Sequence, residues 1–596
     1  MLVVATAGHV DHGKSTLVRA LTGMEPDRWE QERRRGLTID LGFAWTDLPT
    51  GETVAFVDVP GHERFVPNML AGVGPVPAVL LVVAADEGWM PQSAEHLAAL
   101  DGLGVRHGVL VVTRTDLAEP AAAVESARAA LAGTSLAGLA AAPVLVSAPA
   151  GEGPAGEGLV QLRAALARLA AAVPPAETSA PVRLWVDRVF TIHGSGTVLT
   201  GTLPAGTLRV GDELALASSG RPVRVRGLQA LGGSVAEISG VARVAVNLRG
   251  IDRGQVRRGD ALVCPGGFQV TGLVDVRVTG DPATALPGQL QLHVGAAAVP
   301  VRVRPLGADT ARLRLARPLP LHVGDRGLLR DPGRNHIAGG VRMLDVAPPE
   351  MPRRRGAAAA RAALLAELDG APDLVSELRR RRLIRRTELV TMGVPAGDMA
   401  AVAGDWLADR SWWRAQQDRL RELVEAHQRE QPLDGGLPSA TAARQLGLPD
   451  RALVVALATE PLTLRDGRVT TGAAALPEPL RLRTEQLLAE LAGAPFQAPA
   501  SDQLAALGLG AAELAAAERA GLLLRLADQV VVAPDAAVAA VAVLAELPQP
   551  FTLSQARRAL STTRRVAVPL LELLDRRGET RRLVDDRRHV VAAGDG

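Results

Sequence analysis

The chain has 596 residues, 47% of them hydrophobic, with 66 basic against 64 acidic side chains and one cysteine, Cys264. That length calls for several domains. The near-neutral balance excludes a chain-wide polyanion-binding field, and a lone cysteine excludes a disulfide framework or an all-cysteine zinc site. No run approaches a membrane span and no basic leader precedes the first apolar stretch, so no membrane association and a cytoplasmic location are expected.

Residues 1–175 read as a parallel α/β domain with ligands at its strand ends. Strand-like runs fall at 2–7, 54–59, 79–84, 108–113 and 144–147. The first meets Gly8, His9, Val10, Asp11, His12, Gly13, Lys14, Ser15 and Thr16, ahead of a helical pattern starting at Leu17. G-x-x-x-x-G-K-[ST] between a strand and a helix is a phosphate-binding loop, whose backbone N–H groups wrap the phosphates. Lys14 is the only lysine in the chain. Its slender ammonium reaches between β- and γ-phosphates, where a planar guanidinium fits poorly.

The loop Arg33-Arg34-Arg35-Gly36-Leu37-Thr38-Ile39-Asp40 suits a switch segment; Thr38 would complete a Mg²⁺ shell beside Ser15. The second run ends in Asp58-Val59-Pro60-Gly61-His62. Asp58 would hold Mg²⁺ through a water, Gly61 would present its N–H to a γ-phosphate, and His62 would orient an attacking water. The fourth run ends in Thr113-Arg114-Thr115-Asp116. A carboxylate at Asp116 accepts from the N1–H and N2–H₂ edge of guanine, a donor pair that adenine lacks. Ser147 and Ala148 offer backbone N–H groups to the same base. GTP and Mg²⁺ are the expected cofactors.

An Ala-, Gly- and Pro-rich stretch over 141–181 closes this domain. From 182 short alternating strands with glycine turns predict a β-barrel over 182–266 and a second over 267–348. Residues 348–361, with Arg353, Arg354 and Arg355, read as a linker. Helix, turn, helix and wing then recur at 439–470, 501–532 and 552–591, with a fainter copy at 357–418. Four tandem winged helices are expected, over 357–418, 419–474, 476–535 and 540–596. The predicted fold class is thus multidomain: an α/β P-loop GTPase domain, two β-barrels and a tandem winged-helix (α+β) C-terminal region. From 551 on, ten arginines face six acids, a net of +4. Arg557, Arg558, Arg564, Arg565, Arg587 and Arg588 are the candidate nucleic-acid contacts, the middle pair opening a helix and the last pair on a wing.

The phosphate loop, the switch Arg35-Gly36-Leu37-Thr38-Ile39, the turn at 58–62 and the stretch 86–96 resemble translational GTPases. More narrowly, Thr38-Ile39-Asp40-Leu41-Gly42-Phe43-Ala44 and Asn68-Met69-Leu70-Ala71-Gly72-Val73-Gly74 resemble SelB, the selenocysteine-specific elongation factors. The likeness is strongest over 1–120 and weakest after 350. Where G proteins use Asn-Lys-x-Asp, this chain has Thr113 and Arg114; the Thr looks like the SelB variant, and the Arg stem can still cover the base. The resemblance implies an aminoacyl pocket at Asp187, Arg188 and Arg243. Selenocysteine is anionic at neutral pH, so two cations in a partly dry pocket favour it over serine. The implied partners are selenocysteyl-tRNA, the ribosome and an mRNA hairpin (SECIS element) beyond a recoded UGA, read by shape and loop bases; a monomer is expected. Rival readings are a general elongation or initiation factor, which needs no winged-helix array, and a nucleotide-gated DNA-binding regulator, which needs neither Arg188 nor Arg243. A metal enzyme built on His9, His12 and His62 is a third.

Overall fold

The computed structural model describes residues 1–26, 38–62, 65–74, 76–147, 155–192, 196–352, 356–472 and 476–591. The arginine-rich arm of the switch (Arg33 to Leu37), Ala148 and Arg353 to Arg355 lie outside the described residues. The chain divides into two compact units, 1–399 and 400–596.

The first unit begins with strand β1 (Leu2–Ala7), helix α1 (Lys14–Thr22), β2 (Gly42–Asp47), β3 (Thr53–Asp58), α2 (Val66–Val73), β4 (Ala78–Ala84), α3 (Pro91–Gly102), β5 (His107–Thr113), α4 (Ala121–Leu131), β6 (Val144–Leu145) and α5 (Ala155–Ala172). The sheet order is β2-β3-β1-β4-β5-β6. Every residue of β1 and β4 is buried, as two-sided covering by helices requires. Alternate side chains go to opposite faces: Val3, Val57 and Leu81 pack with Met69, Leu70, Leu97 and Leu100, while Val4, Phe56 and Leu80 pack with Leu17, Leu21, Leu162 and Leu166. Helix α1 starts at Lys14, three residues before the predicted Leu17. The sheet is not wholly parallel either. The unpredicted β2 pairs antiparallel with β3, Gly42 opposite Asp58 and Asp47 opposite Thr53. As an edge strand it is only partly buried, which hid it from a search for continuous apolar runs.

Residues 183–263 form an eight-stranded antiparallel sheet rolled about one apolar core that includes Leu184, Leu199, Val246 and Leu262. Backbone bonds from Val186 to Asp260 and from Asp187 to Thr200 draw its edges together. Residues 269–345 form a closed six-stranded barrel. Leu328 and Ile337 of that barrel join the apolar core of α2 and α3. At this seam a Cβ on Gly340 would lie 2.3 Å from the Gly102 carbonyl oxygen, so only glycine permits the close approach.

The predicted linker and first winged helix need correction. Arg361 lies in a helix, Ala357–Ala366, and is buried between Asp275 (2.7 Å) and Asp345 (2.5 Å). From the next helix, Leu374–Arg381, Arg380 and Arg381 also reach Asp345, and both pair with Glu377. The guanidinium groups hold the Asp345 carboxyl below the usual carboxylate range against burial. These buried ion pairs tie 357–381 to the barrel, so residues 357–399 belong to the first unit. Removing one partner strands the others: Asp345→Asn is expected to cost about 3–5 kcal/mol, read as a loss of thermal stability. Because its folded pKa is depressed, the Asp345 contribution is present above the unfolded pKa and is lost as pH falls through the folded value.

In the second unit, helix Arg410–Glu430 runs through the expected border at 418/419. Three modules follow one plan: a leading helix, a helix pair and a hairpin. Their helix pairs are Ser439–Leu446 with Ala452–Leu457, Ser501–Ala506 with Ala511–Arg519, and Leu553–Ala559 with Arg564–Arg576. The chain reverses at Asp466-Gly467 in the first wing and at Asp586 in the third, all at positive φ. No helix among the described residues is long and apolar enough to cross a membrane.

Candidate functional site

The phosphate loop closes over the end of β1. Gly8 has φ +134°, and a Cβ there would lie 2.1 Å from the Val82 carbonyl oxygen, so glycine is obligatory. Its N–H donates to His96 Nδ1 at 3.0 Å, and the Val10 N–H donates to Gln92 Oε1 at 3.0 Å. Burial lowers the His96 pKa to about 3, keeping that nitrogen an acceptor. Both partners lie on α3 and neither was anticipated; their place in the 86–96 stretch was the available signal.

Lys14 is buried, with Nζ donating to the His9 carbonyl at 2.6 Å and the Gly8 carbonyl at 3.1 Å. Burial lowers its pKa to about 8 against the pull of Asp58 and Asp11. Gly61 packs against the same loop: a Cβ there would lie 2.5 Å from Lys14 Nζ and 2.7 Å from Val10 N. His62 follows at once, its ring 6.0 Å from that of Phe65.

Ser15, Thr38 and Asp58 come together. Ser15 Oγ donates to Asp58 Oδ2 at 2.6 Å and lies 2.9 Å from Thr38 Oγ1. Thr6, not anticipated, donates to Asp58 Oδ1 at 2.7 Å. Burial raises the Asp58 pKa, opposed by the Ser15 and Thr6 bonds and by Lys14. Hard hydroxyl and carboxylate oxygens around one buried carboxyl suit Mg²⁺. The histidines do not assemble this way: His12 is buried, its pKa lowered to about 4, with Nε2 3.4 Å from Glu87. Among the described residues no three His, Cys, Asp or Glu side chains are placed to share a metal.

At the end of β5, the buried Thr113 hydroxyl donates to the His12 carbonyl at 2.8 Å. It ties the base end of the site to the phosphate loop. Arg114 pairs with Asp86 (3.0 Å) and Glu87 (2.9 Å). Asp116 Oδ1 accepts from Ser147 Oγ at 2.8 Å. Ala148, expected beside it, lies outside the described residues.

A second site opens between β2–β3 and the rolled sheet, a cavity of about 960 Å³. Asp187 is buried and accepts from Thr200 Oγ1 (2.7 Å) and from both terminal nitrogens of Arg243, one at 2.8 Å. Arg188 donates to the Leu41 carbonyl and pairs with Asp40 at 3.0 Å. Both guanidinium carbons lie over the Phe43 ring, 3.9 Å for Arg243 and 5.2 Å for Arg188. Arg253, Arg257 and Arg258 also line the cavity, giving five arginines against two aspartates. Asp40, Phe43 and Arg258 were not foreseen as pocket residues: Phe43 lies on β2, Asp40 just ahead of it and Arg258 in a turn of the second domain, and only folding brings them together.

In the last winged module, Arg557, Arg558, Arg564 and Arg587 are exposed, and Arg565 donates to the Gln529 carbonyl at 2.8 Å while exposed. Arg588 corrects the sequence reading. It is buried, with Nε donating to Asp575 at 2.9 Å, so it anchors the wing instead of facing a ligand. Arg588→Ala is expected to destabilise the module by about 3 kcal/mol or more in a thermal melt. A melt unchanged by the substitution would return Arg588 to the surface.

Residues 1–189 match the elongation factor Tu GTP-binding domain and 196–263 match elongation factor Tu domain 2. Residues 274–350 match the β-barrel domain of the selenocysteine-specific elongation factor, and 542–589 match the winged helix of elongation factor SelB. The chain is 36% identical over 360 residues to a selenocysteine-specific elongation factor of Desulfomicrobium baculatum, covering 58% of this chain and 56% of that relative's length. It is 32% identical over 381 residues to elongation factor Tu 2 of Streptomyces avermitilis, covering 58% of this chain and 97% of that protein. The crystal structure of a bacterial selenocysteine-specific elongation factor, EF-Sec, superposes with a TM-score of 0.74 at 25% identity, covering 99% of this chain and all of that one.

Proposed function

We propose, for a chain that belongs to the elongation factor Tu family and within it to the selenocysteine-specific factors, that it hydrolyses GTP while delivering selenocysteyl-tRNA to the ribosome. The observation that carries this reading is the arginine excess of the cavity over Phe43. A selenolate gains from that excess, whereas a serine hydroxyl leaves it uncompensated. The protein acts as a monomer in the cytoplasm.

In the GTP-bound state Lys14 leaves the loop carbonyls for the β- and γ-phosphates. Ser15, Thr38 and Asp58 would hold Mg²⁺, which when bound would supply positive charge beside the phosphates. Gly61 offers its N–H to the γ-phosphate and His62 orients the attacking water. Asp116 selects guanine. Beyond residue 400, the winged modules hold an mRNA hairpin, with Arg557, Arg558, Arg564, Arg565 and Arg587 toward its backbone. Tethering raises the effective concentration of the factor at one codon. That array disfavours the three-domain rival, and the pocket disfavours a DNA-binding regulator.

The test is translation by purified ribosomes on a message with an in-frame UGA, with and without a following hairpin. Full-length product is expected only with GTP, selenocysteyl-tRNA and the hairpin together. Equal product from the message lacking the hairpin would contradict the tether.

A further inference from the structure

Four consecutive residues leaving the nucleotide site are each held by a neighbour, the last two by the same arginine. Thr38 Oγ1 lies 2.9 Å from Ser15 Oγ. The Ile39 carbonyl accepts from Asn68 Nδ2, on α2, at 2.8 Å. Asp40 meets Arg188 at 3.0 Å and Arg258 at 3.6 Å. The Leu41 carbonyl accepts from Arg188. An extended chain spans roughly 3.3–3.6 Å per residue, so Thr38 and Asp40 are only about 7 Å apart along it. The strip therefore runs from the metal-binding hydroxyl to the pocket arginines with little slack, clamped on the way by α2.

The two pocket acids differ in origin. Asp187 and its partner Arg243 both belong to the rolled sheet, so their pairing does not cross to the GTPase domain. Among the described residues that line the cavity, Asp40 is the acid contributed by the GTPase domain, and it pairs across the seam with Arg188 and Arg258. Arg188 is thus shared between a residue of the switch strip and whatever anion enters the cavity.

We infer that Asp40 is a positioning residue that couples the nucleotide site to the aminoacyl pocket by competing with the aminoacyl anion for Arg188. This rests on the proposed function. A nucleotide state that draws Thr38 toward the metal changes the reach of Asp40, and so the charge that Arg188 presents to the cavity. Entry of the selenolate takes Arg188 from Asp40 and acts back on the strip. The coupling is reciprocal, as any linkage between two binding equilibria must be. Asn68 supplies the second clamp, which keeps the strip from absorbing the shift.

The experiment is filter binding of the full chain to selenocysteyl-tRNA and seryl-tRNA, each in GTP and in GDP. The readout is the ratio of selenocysteyl-tRNA affinities in the two nucleotides. In Asp40→Asn that ratio is expected to fall by about tenfold, within the usual range of coupling between sites. Asp40→Glu, which keeps the charge, is expected to retain most of it. A purely structural Asp40 would weaken binding in both nucleotides alike; an unchanged ratio in Asp40→Asn overturns the inference. So does an Asp40→Glu variant that loses the ratio as fully as Asp40→Asn. Wild-type protein that binds both tRNAs equally overturns the pocket reading itself, and the inference with it. Wild-type protein that discriminates, beside an Asp40→Asn variant with an intact ratio, overturns the coupling alone.

Discussion

An Asp116→Asn chain is expected to bind GTP about 10³-fold or more weakly than wild type and to accept xanthosine triphosphate instead. Asp116 stands just beyond β5, with one carboxylate oxygen fixed by Ser147 at 2.8 Å. Guanine presents two donors to it. An asparagine amide turns one of those contacts into donor facing donor, and the unpaired groups are then costly to bury. Xanthine carries a carbonyl where guanine carries the amino group, so it restores the match. The Thr113 hydroxyl spends its proton on the His12 carbonyl, bracing the loop. With that proton committed, Asp116 is the side chain expected to discriminate the base. Titration with fluorescent GTP and XTP analogues measures both halves; GTP affinity unchanged in Asp116→Asn would remove Asp116 from the base.

Arg243→Gln is expected to lower selenocysteyl-tRNA affinity by about 10²-fold while changing seryl-tRNA binding far less, since only the anion uses the guanidinium. Arg243 is fixed by Asp187 and lies 3.9 Å over Phe43, so its charge is held in place before the ligand arrives. The single substitution leaves Asp187, 5% exposed, without its ion-pair partner. Some of the loss will therefore be structural. The double variant Asp187→Asn with Arg243→Gln separates the two: stability is expected to recover and discrimination is not. Thermal melts beside filter binding read both. Recovery of discrimination in the double variant would mean that Arg243 serves only to neutralise Asp187.

The phosphate loop was legible because its residues are contiguous and the motif allows few alternatives. Gly8, Lys14 and Ser15 lie within eight positions, and Asp58 and Asp116 were found at the ends of strands visible as apolar runs. What escaped was carried by long-range contacts. Strand β2 is a half-buried edge with no continuous apolar pattern. His96 and Gln92 reach the loop only because α3 packs beside β1. Arg361 looks like a linker arginine until the barrel acids Asp275 and Asp345 surround it. Arg588 was misread for the same reason: composition shows charge, while burial against Asp575 shows whether that charge is already spent. In the pocket, Arg188 and Arg243 came from family resemblance. Phe43 and Asp40 became pocket residues only when β2 was placed against the rolled sheet.

The most direct test of selenocysteine specificity is the affinity of the full chain, loaded with GTP, for one tRNA charged in turn with selenocysteine and with serine. A preference for the selenocysteyl form of about 10²-fold or more is expected from a fixed, arginine-rich cavity meeting an anion in place of a hydroxyl. Equal affinities would contradict the account, leaving a GTP-binding translation factor whose five pocket arginines serve another purpose.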